Sequence, residues 1–439
     1  MKIEISDSKK WQHSFTIKIV LLAILGVFLL IPLEMIKSII KERQQTSENV
    51  KKEIAFQWAG KQTISGLVLN IPVRIYPSNK ESEPFISIFH LMPETLRIMG
   101  DIQTEKRHKS IYQAVVYTAD LNLSGEFIIP QLNTGERSDI LWSESYYSIG
   151  ISDNRGLKGG VFLITDSIKS EAIPGLKDTE LFQSGITFPT ELSVLSKKIQ
   201  FLLSLKLTGS ESLSFSPIGK TTEVNLQSLW NSPGFSGNFL PAIRSIDNSG
   251  FKAKWLVTNL NRNFPQVWTG SAYTPEKDSF GVNFILSVDH YQKSLRSAKY
   301  GILFIALTFL VLIFVEFTIH ENIHVFQYLL VSLGLVLFFS LLNSLSEHIG
   351  FNLAYLTAAV STIALISIFL LTLIRRYRPV LLISGLLIFL YSVIFILLTL
   401  NDYAYLAGNI GLFILLAVTM RLSVKLNLFM KIKKADNID

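Results

Sequence analysis

Six stretches of this chain are apolar enough, over enough residues, to cross a lipid bilayer, and a long polar region separates the first from the other five. The first covers residues 19–33, extending to Phe15 if the Lys18 ammonium reaches back to the interface. The others lie near 300–319, 325–345, 350–374, 379–400 and 403–420. About 20 residues of helix span the hydrocarbon layer, where each backbone polar group must be satisfied within its own segment, so these stretches are read as helices. Apart from Glu316, their interiors carry no formal charge. The first run leads into Pro32, Leu33, Glu34, Met35 and Ile36 without a small-residue cleavage site, and is read as a retained anchor.

Charge sets the expected orientation. Lys2, Lys9, Lys10 and Lys18 precede or enter the anchor; Arg375, Arg376 and Arg378 fill one short loop; Arg421, Lys425, Lys431, Lys433 and Lys434 follow the last run. The short loops at 346–350 and 401–402 contain no Lys or Arg. Basic residues stay on the cytoplasmic side, so both termini are expected inside and residues 37–299 in the periplasm. The excess of 41 Lys plus Arg over 34 Asp plus Glu therefore belongs largely to membrane flanks and points to the lipid bilayer, not to nucleic acid. The absence of cysteine excludes disulfides, thiolate metal sites and a cysteine nucleophile.

The expected fold class is a membrane α+β protein. Residues 1–36 form a cytoplasmic N-terminus and transmembrane anchor, 37–299 a large β-rich, sandwich-like periplasmic domain with a polar helical stalk at 37–56, 300–420 a bundle of about five transmembrane helices, and 421–439 a basic cytoplasmic tail. Strand patterning appears at Ile71, Val73 and Ile75, and over 111–117, 201–207 and 281–288. Asp153-Asn154-Arg155-Gly156 and Asn231-Ser232-Pro233-Gly234 read as turns. Leu121-x-Leu123-x-Gly125 and Leu205-x-Leu207-x-Gly209 echo each other, as two related halves or by chance.

Specific strings add a resemblance. Gln327-Tyr328-Leu329-Leu330-Val331-x-Leu333, followed by Leu345-Ser346-Glu347-His348-x-Gly350-Phe351-x-x-Ala354-Tyr355, is similar to the signature of the CreD family. Trp58-x-Gly60-x-Gln62-x-Ile64-x-Gly66, Ser152-Asp153-x-Arg155-Gly156, Gly237-x-Phe239-Leu240-Pro241 and Lys299-Tyr300-Gly301-Ile302-Leu303-Phe304 resemble the same family, over nearly the whole chain. Val325 stands where such chains usually carry Pro, and the tail around Met420-Arg421-Leu422 departs from their pattern. The resemblance implies a multi-pass protein of the bacterial inner membrane, concerned with cell-envelope integrity and stress, with no known reaction.

His320-Glu321-Asn322-Ile323-His324 matches the His-Glu-x-x-His pattern that places two imidazoles on one helix face for zinc, with Glu as general base. The same residues must turn the chain between two spans, so we read them as a polar interfacial turn. Glu316 stands near the cytoplasmic end of its helix, where a carboxylate seeks protein or water. Asn343, Glu347 and His348 lie at the opposite end of the next helix, as a functional set or as helix-end caps. Asp153 and Arg155 form either a ligand-contacting loop or a tight turn with a local ion pair.

The leading expectation is a non-enzymatic envelope protein whose periplasmic domain binds an envelope protein, a lipid or a cell-wall component. It has no catalytic set, no cofactor and no metal site. A transporter or flippase using the polar helix residues, and a membrane enzyme acting on lipid, peptidoglycan or peptide bonds, are the alternatives.

Overall fold

The computed structural model describes residues 17–399 except 78–82, 132–136, 191, 193–196, 285–289 and 320–322, with three isolated positions beyond. The chain divides into two compact units, Met1–Thr46 with Val288–Asp439, and Ser47–Ser287.

The helical elements are α1 (Ile17–Gln57), α2 (His290–Lys299), α3 (Gly301–Ile319), α4 (Val325–Ile349), α5 (Phe351–Ile374) and α6 (Tyr377–Thr399). Four of them, α1, α4, α5 and α6, are individually long and apolar enough to cross a membrane, and α2 with α3 makes a fifth candidate bent by 41°. The expected run at 300–319 is thus the second arm of a broken helix, whose first arm the sequence reading assigned to the β-rich region. Apart from those three positions, the expected run at 403–420 lies outside the described residues, as does the basic tail.

Inside a bilayer, lipid tails are as apolar as leucine, so helices associate through close contact and polar bonds rather than through expulsion of water. Gly301 illustrates this, since an added Cβ there would lie 2.7 Å from Leu33 of α1 and 3.1 Å from Phe339 of α4. The centre of the bundle is aromatic. Phe304 lies 4.8 Å from Tyr391, Phe338 lies 4.6 Å from Tyr391 and 5.4 Å from Tyr355 (ring centroids), and the Tyr355 hydroxyl donates to the Tyr391 carbonyl at 2.8 Å.

The other unit carries the strands β1 (Gln62–Ile75), β2 (Phe85–Leu91), β3 (Thr95–Lys109), β4 (Tyr112–Ile128), β5 (Ser138–Ile140), β6 (Tyr146–Ile151), β7 (Phe162–Thr165), β8 (Ile168–Glu171) and β9 (Ile173–Pro174). They are followed by β10 (Gly185–Pro189), β11 (Lys198–Ser210), β12 (Ser212–Phe215), β13 (Thr221–Ser228), β14 (Pro233–Gly237), β15 (Ile243–Asp247), β16 (Gly250–Thr258), β17 (Val267–Thr269) and β18 (Phe280–Phe284). One sheet follows the order β14-β18-β12-β1-β6-β10-β9, with β2 and β5 also on β1 and β17 on β2; the other runs β15-β16-β13-β3-β4-β11-β7-β8.

In the second sheet, β3, β4 and β11 alternate buried and exposed residues over much of their length, the pattern of strands with one dry face. One core joins the inner faces of both sheets. Trp255 of β16 is fully buried, with its ring 5.6 Å from Phe235 of β14 and 5.7 Å from Phe280 of β18. This is the sandwich-like arrangement the strand spacing predicts.

The repeated Leu-x-Leu-x-Gly strings lie side by side: β4 and β11 are antiparallel neighbours with Leu205 opposite Leu121, so both strings follow the same alternation in one sheet. Asn231-Ser232-Pro233-Gly234 is a turn only in its first part. Pro233 opens β14, an edge strand, where a missing N–H costs no ladder bond. The polar part of α1 ends on β4, with Val50, Ile54 and Trp58 against Ala114 and Val116.

Candidate functional site

In the β-rich unit, four adjacent strands line up four polar or aromatic residues in one row. The register sets Tyr146 of β6 opposite Asn70 of β1, Asn70 opposite His90 of β2, and His90 opposite Trp268 of β17. Directly opposed residues of neighbouring strands share a face, so the row forms as a consequence of pairing alone. The His90 side chain is 0% exposed. Its Nδ1 lies 2.7 Å from Asn70 Oδ1, and Asn70 Nδ2 donates to Ser148 Oγ at 2.8 Å. With the amide so oriented, His90 Nδ1–H donates to Asn70, and Nε2 points away from it toward Glu180.

Two carboxylates from the segment between β9 and β10 reach this row. Glu180 Oε2 lies 3.0 Å from His90 Nε2, and Asp178 Oδ2 accepts from the Tyr146 hydroxyl. The Glu180 backbone N–H donates to Asp178 Oδ1 at 3.0 Å, which holds the two acids side by side. Burial, followed by the bond to Asp178, pushes the Tyr146 phenol well above its ordinary range, so it remains a donor. Donor atoms of His90, Asp178 and Glu180 lie within 4.8 Å of one another. Such a set can share a proton or hold a cation.

The residues singled out from sequence fall elsewhere. Asp153 caps a short 3-10 turn over Asn154–Gly156, accepting from the backbone N–H of Arg155 at 3.1 Å and of Gly60 at 3.3 Å. Arg155 donates to both its oxygens, at 2.9 and 2.6 Å, and stacks on Phe56 at 4.1 Å. The Arg155 guanidinium beside it is the main reason that the Asp153 carboxyl lies below the usual carboxylate range.

In the helical unit, Glu316 accepts from Lys18 of α1 and, at 2.9 Å, from the Tyr328 hydroxyl of α4. Lys18 also donates to the Ile323 carbonyl at 2.6 Å. His320 and Glu321 lie outside the described residues. His324 is not part of a helix that could carry the His-Glu-x-x-His pattern: it is the N-cap of α4, with Nδ1 accepting from Phe326 N–H at 3.2 Å and its own N–H donating to Gln327 Oε1 at 2.9 Å. An N-cap has extended backbone geometry, so His324 cannot share one helix face with residues before it. His324→Ala is expected to cost about 0.5–2 kcal/mol, read as a slightly lower melting temperature in detergent with unchanged folding of the β-rich unit.

Glu347 and His348 part company. Glu347 accepts from Tyr291 of α2 at 3.0 Å, whereas His348 is exposed. Asn343 is buried on α4, as are Ser294 and Ser297 on α2, and these two helices are in contact.

The family described as inner membrane protein CreD matches residues 14–429. The chain is also 31% identical, over 405 residues, to the inner membrane protein CreD of Escherichia coli (strain K12), across 90% of this chain and 89% of that one. This chain belongs to the CreD family. It is accordingly a multi-pass protein of the inner membrane.

Two of the CreD-like strings of the β-rich unit meet in space. Gln62, from the Trp58-Gly60-Gln62 string, is buried and donates to the Asp153 carbonyl at 2.9 Å while accepting from Asp153 N–H at 3.3 Å. A Cβ on Gly156 would lie 2.3 Å from the Thr208 carbonyl and 2.6 Å from Gln62 Nε2. These strings of the CreD-family sequence therefore build a brace between β1, β11 and the 3-10 turn. No local pattern announces the row around His90, since its adjacent members lie between 20 and 178 positions apart in the chain.

Proposed function

We propose that this CreD-family protein holds Ser47–Ser287 on the periplasmic side of the inner membrane, with both termini in the cytoplasm, and supports envelope integrity by binding there rather than by catalysing a reaction. The orientation rests on where basic residues fall along the helices. Lys18 donates to Ile323, so it lies at the level where α3 gives way to α4. From there α4 and α5 run out and back through Gly350, which brings Arg375, Arg376 and Arg378 to the level of Lys18. The far end, at 346–350, carries neither Lys nor Arg. Lys293, Arg296 and Lys299 of α2 do lie toward that far end, but they close a long translocated region, which the positive-inside rule exempts. The partner class is an envelope protein, a lipid or a cell-wall component.

The absence of cysteine makes the test clean. In spheroplasts, a membrane-impermeant maleimide is expected to label Ser110→Cys, at the exposed β3–β4 turn, and to label Tyr377→Cys only after lysis. The opposite pattern overturns the orientation. Cells without the protein are expected to be more sensitive to detergent and β-lactam; undiminished resistance sinks the envelope role.

A further inference from the structure

We infer that His90, Asp178 and Glu180 form a binding site for one divalent first-row transition metal ion of the zinc type. The inference goes beyond the proposed envelope role, and does not depend on the orientation of the chain in the membrane.

Three observations carry it. First, three side chains of metal-ligating type converge. With Nδ1 turned to Asn70, His90 Nε2 lies 3.0 Å from Glu180 Oε2, and Asp178 lies beside them. Among the described residues, no Lys or Arg pairs with either carboxylate. Lys177, adjacent in sequence, places its ammonium 4.8 Å over the Tyr146 ring instead. Two carboxylates held side by side repel, and a cation between them reverses the sign of that interaction.

Second, the imidazole is mounted as a ligand. A metal-binding histidine is normally held by a hydrogen bond from its other ring nitrogen, and here Asn70 supplies it, itself fixed by Ser148. Trp268, tilted against the ring with centroids 6.1 Å apart, covers the neighbouring position in the row. The imidazole is therefore fixed in the sheet, while the carboxylates sit on the segment that connects β9 to β10.

Third, the dimensions fit. Bonds of about 2.0 Å in a tetrahedral site place ligand atoms about 3.3 Å apart. The Nε2–Oε2 separation is already 3.0 Å, and the whole set falls within 4.8 Å, so the remaining closure falls on Asp178 and Glu180. One imidazole and two carboxylates, with no thiolate in the chain, suit a borderline divalent ion and not copper(I). The Glu180 side chain is 38% exposed, which gives the ion a way in.

The test uses the full chain in detergent, stripped with a chelator and reloaded with Zn2+ or Co2+. The expected result is retention of about one ion per chain after gel filtration, with visible cobalt absorption of a nitrogen- and oxygen-ligated site. Glu180→Gln and Asp178→Asn, on the partly open side, are expected to weaken binding at least about tenfold, and Asn70→Ala about 10- to 100-fold by freeing the ring. His90→Gln should abolish it, with circular dichroism confirming the sandwich. If the stripped protein takes up neither ion, or all variants retain it equally, the inference fails.

Discussion

Lys18→Met is expected to destabilise the helical unit by about 3–5 kcal/mol, and Glu316→Gln in the same chain to restore most of that loss. Lys18 and Glu316 are largely covered, with 17% and 15% of their side chains exposed. Glu316 spends one oxygen on Lys18 and the other on Tyr328, while Lys18 also serves the Ile323 carbonyl and lies 5.4 Å from the Tyr328 ring. The cluster ties α1 to both α3 and α4. Removing the ammonium alone leaves a carboxylate in a poorly solvating place with one neutral donor; removing both charges leaves only neutral hydrogen-bonding groups. The asymmetry is the signature of the ion pair, and a double-mutant cycle on thermal unfolding in detergent measures it. Equal melting temperatures for Lys18→Met and the wild type would show that the pair contributes nothing.

The second large effect is expected at Trp255. Truncating a buried aromatic to alanine typically costs about 3–5 kcal/mol, a large share of the 5–15 kcal/mol that holds an average domain together. Here the ring also links the two sheets, and its Nε1–H donates to the Phe239 carbonyl at 3.2 Å. Trp255→Ala opens a cavity at the meeting of β14, β16 and β18, and Trp255→Phe retains much of the packing while losing the bond. The order of urea resistance expected by circular dichroism is wild type, then Phe, then Ala, with rapid proteolysis of Ala within Ser47–Ser287. Urea midpoints that do not separate the three would place the joint between the sheets elsewhere.

Much of the architecture is legible because it follows from short-range regularities. Apolar runs of about 20 residues announce membrane helices whatever surrounds them, and period-two patterns announce strands with one dry face. The break at Tyr300 escaped because α2 is short and polar, and nothing in its composition separates a helix that leads into a span from the end of a β-rich region. The Leu-x-Leu-x-Gly echo shows the converse: neighbours in one sheet carry the same alternation, so a repeated pattern need not mark a repeated unit.

For the polar residues, the sequence identified chemistry but not company. Glu316 stands out because a charge in an apolar run must be compensated, yet its partner Lys18 lies 298 positions away. Asp153 and Arg155 find each other locally, as close neighbours in a turn do. His90 sits in the unremarkable run Phe89-His90-Leu91, and becomes a candidate only when register sets it between Asn70 and Trp268 and a distant segment lays Asp178 and Glu180 over it.

By itself, the sequence determined that this is a membrane protein of α+β class, with one β-rich region between an anchor and a helical block, because hydrophobic length and periodicity are properties of the chain read a few residues at a time. Only the tertiary structure decided which polar groups meet. Strand order, register and helix pairing bring together atoms from opposite ends of the chain, and the energy of a buried charge or imidazole depends on those few neighbours within about 4 Å.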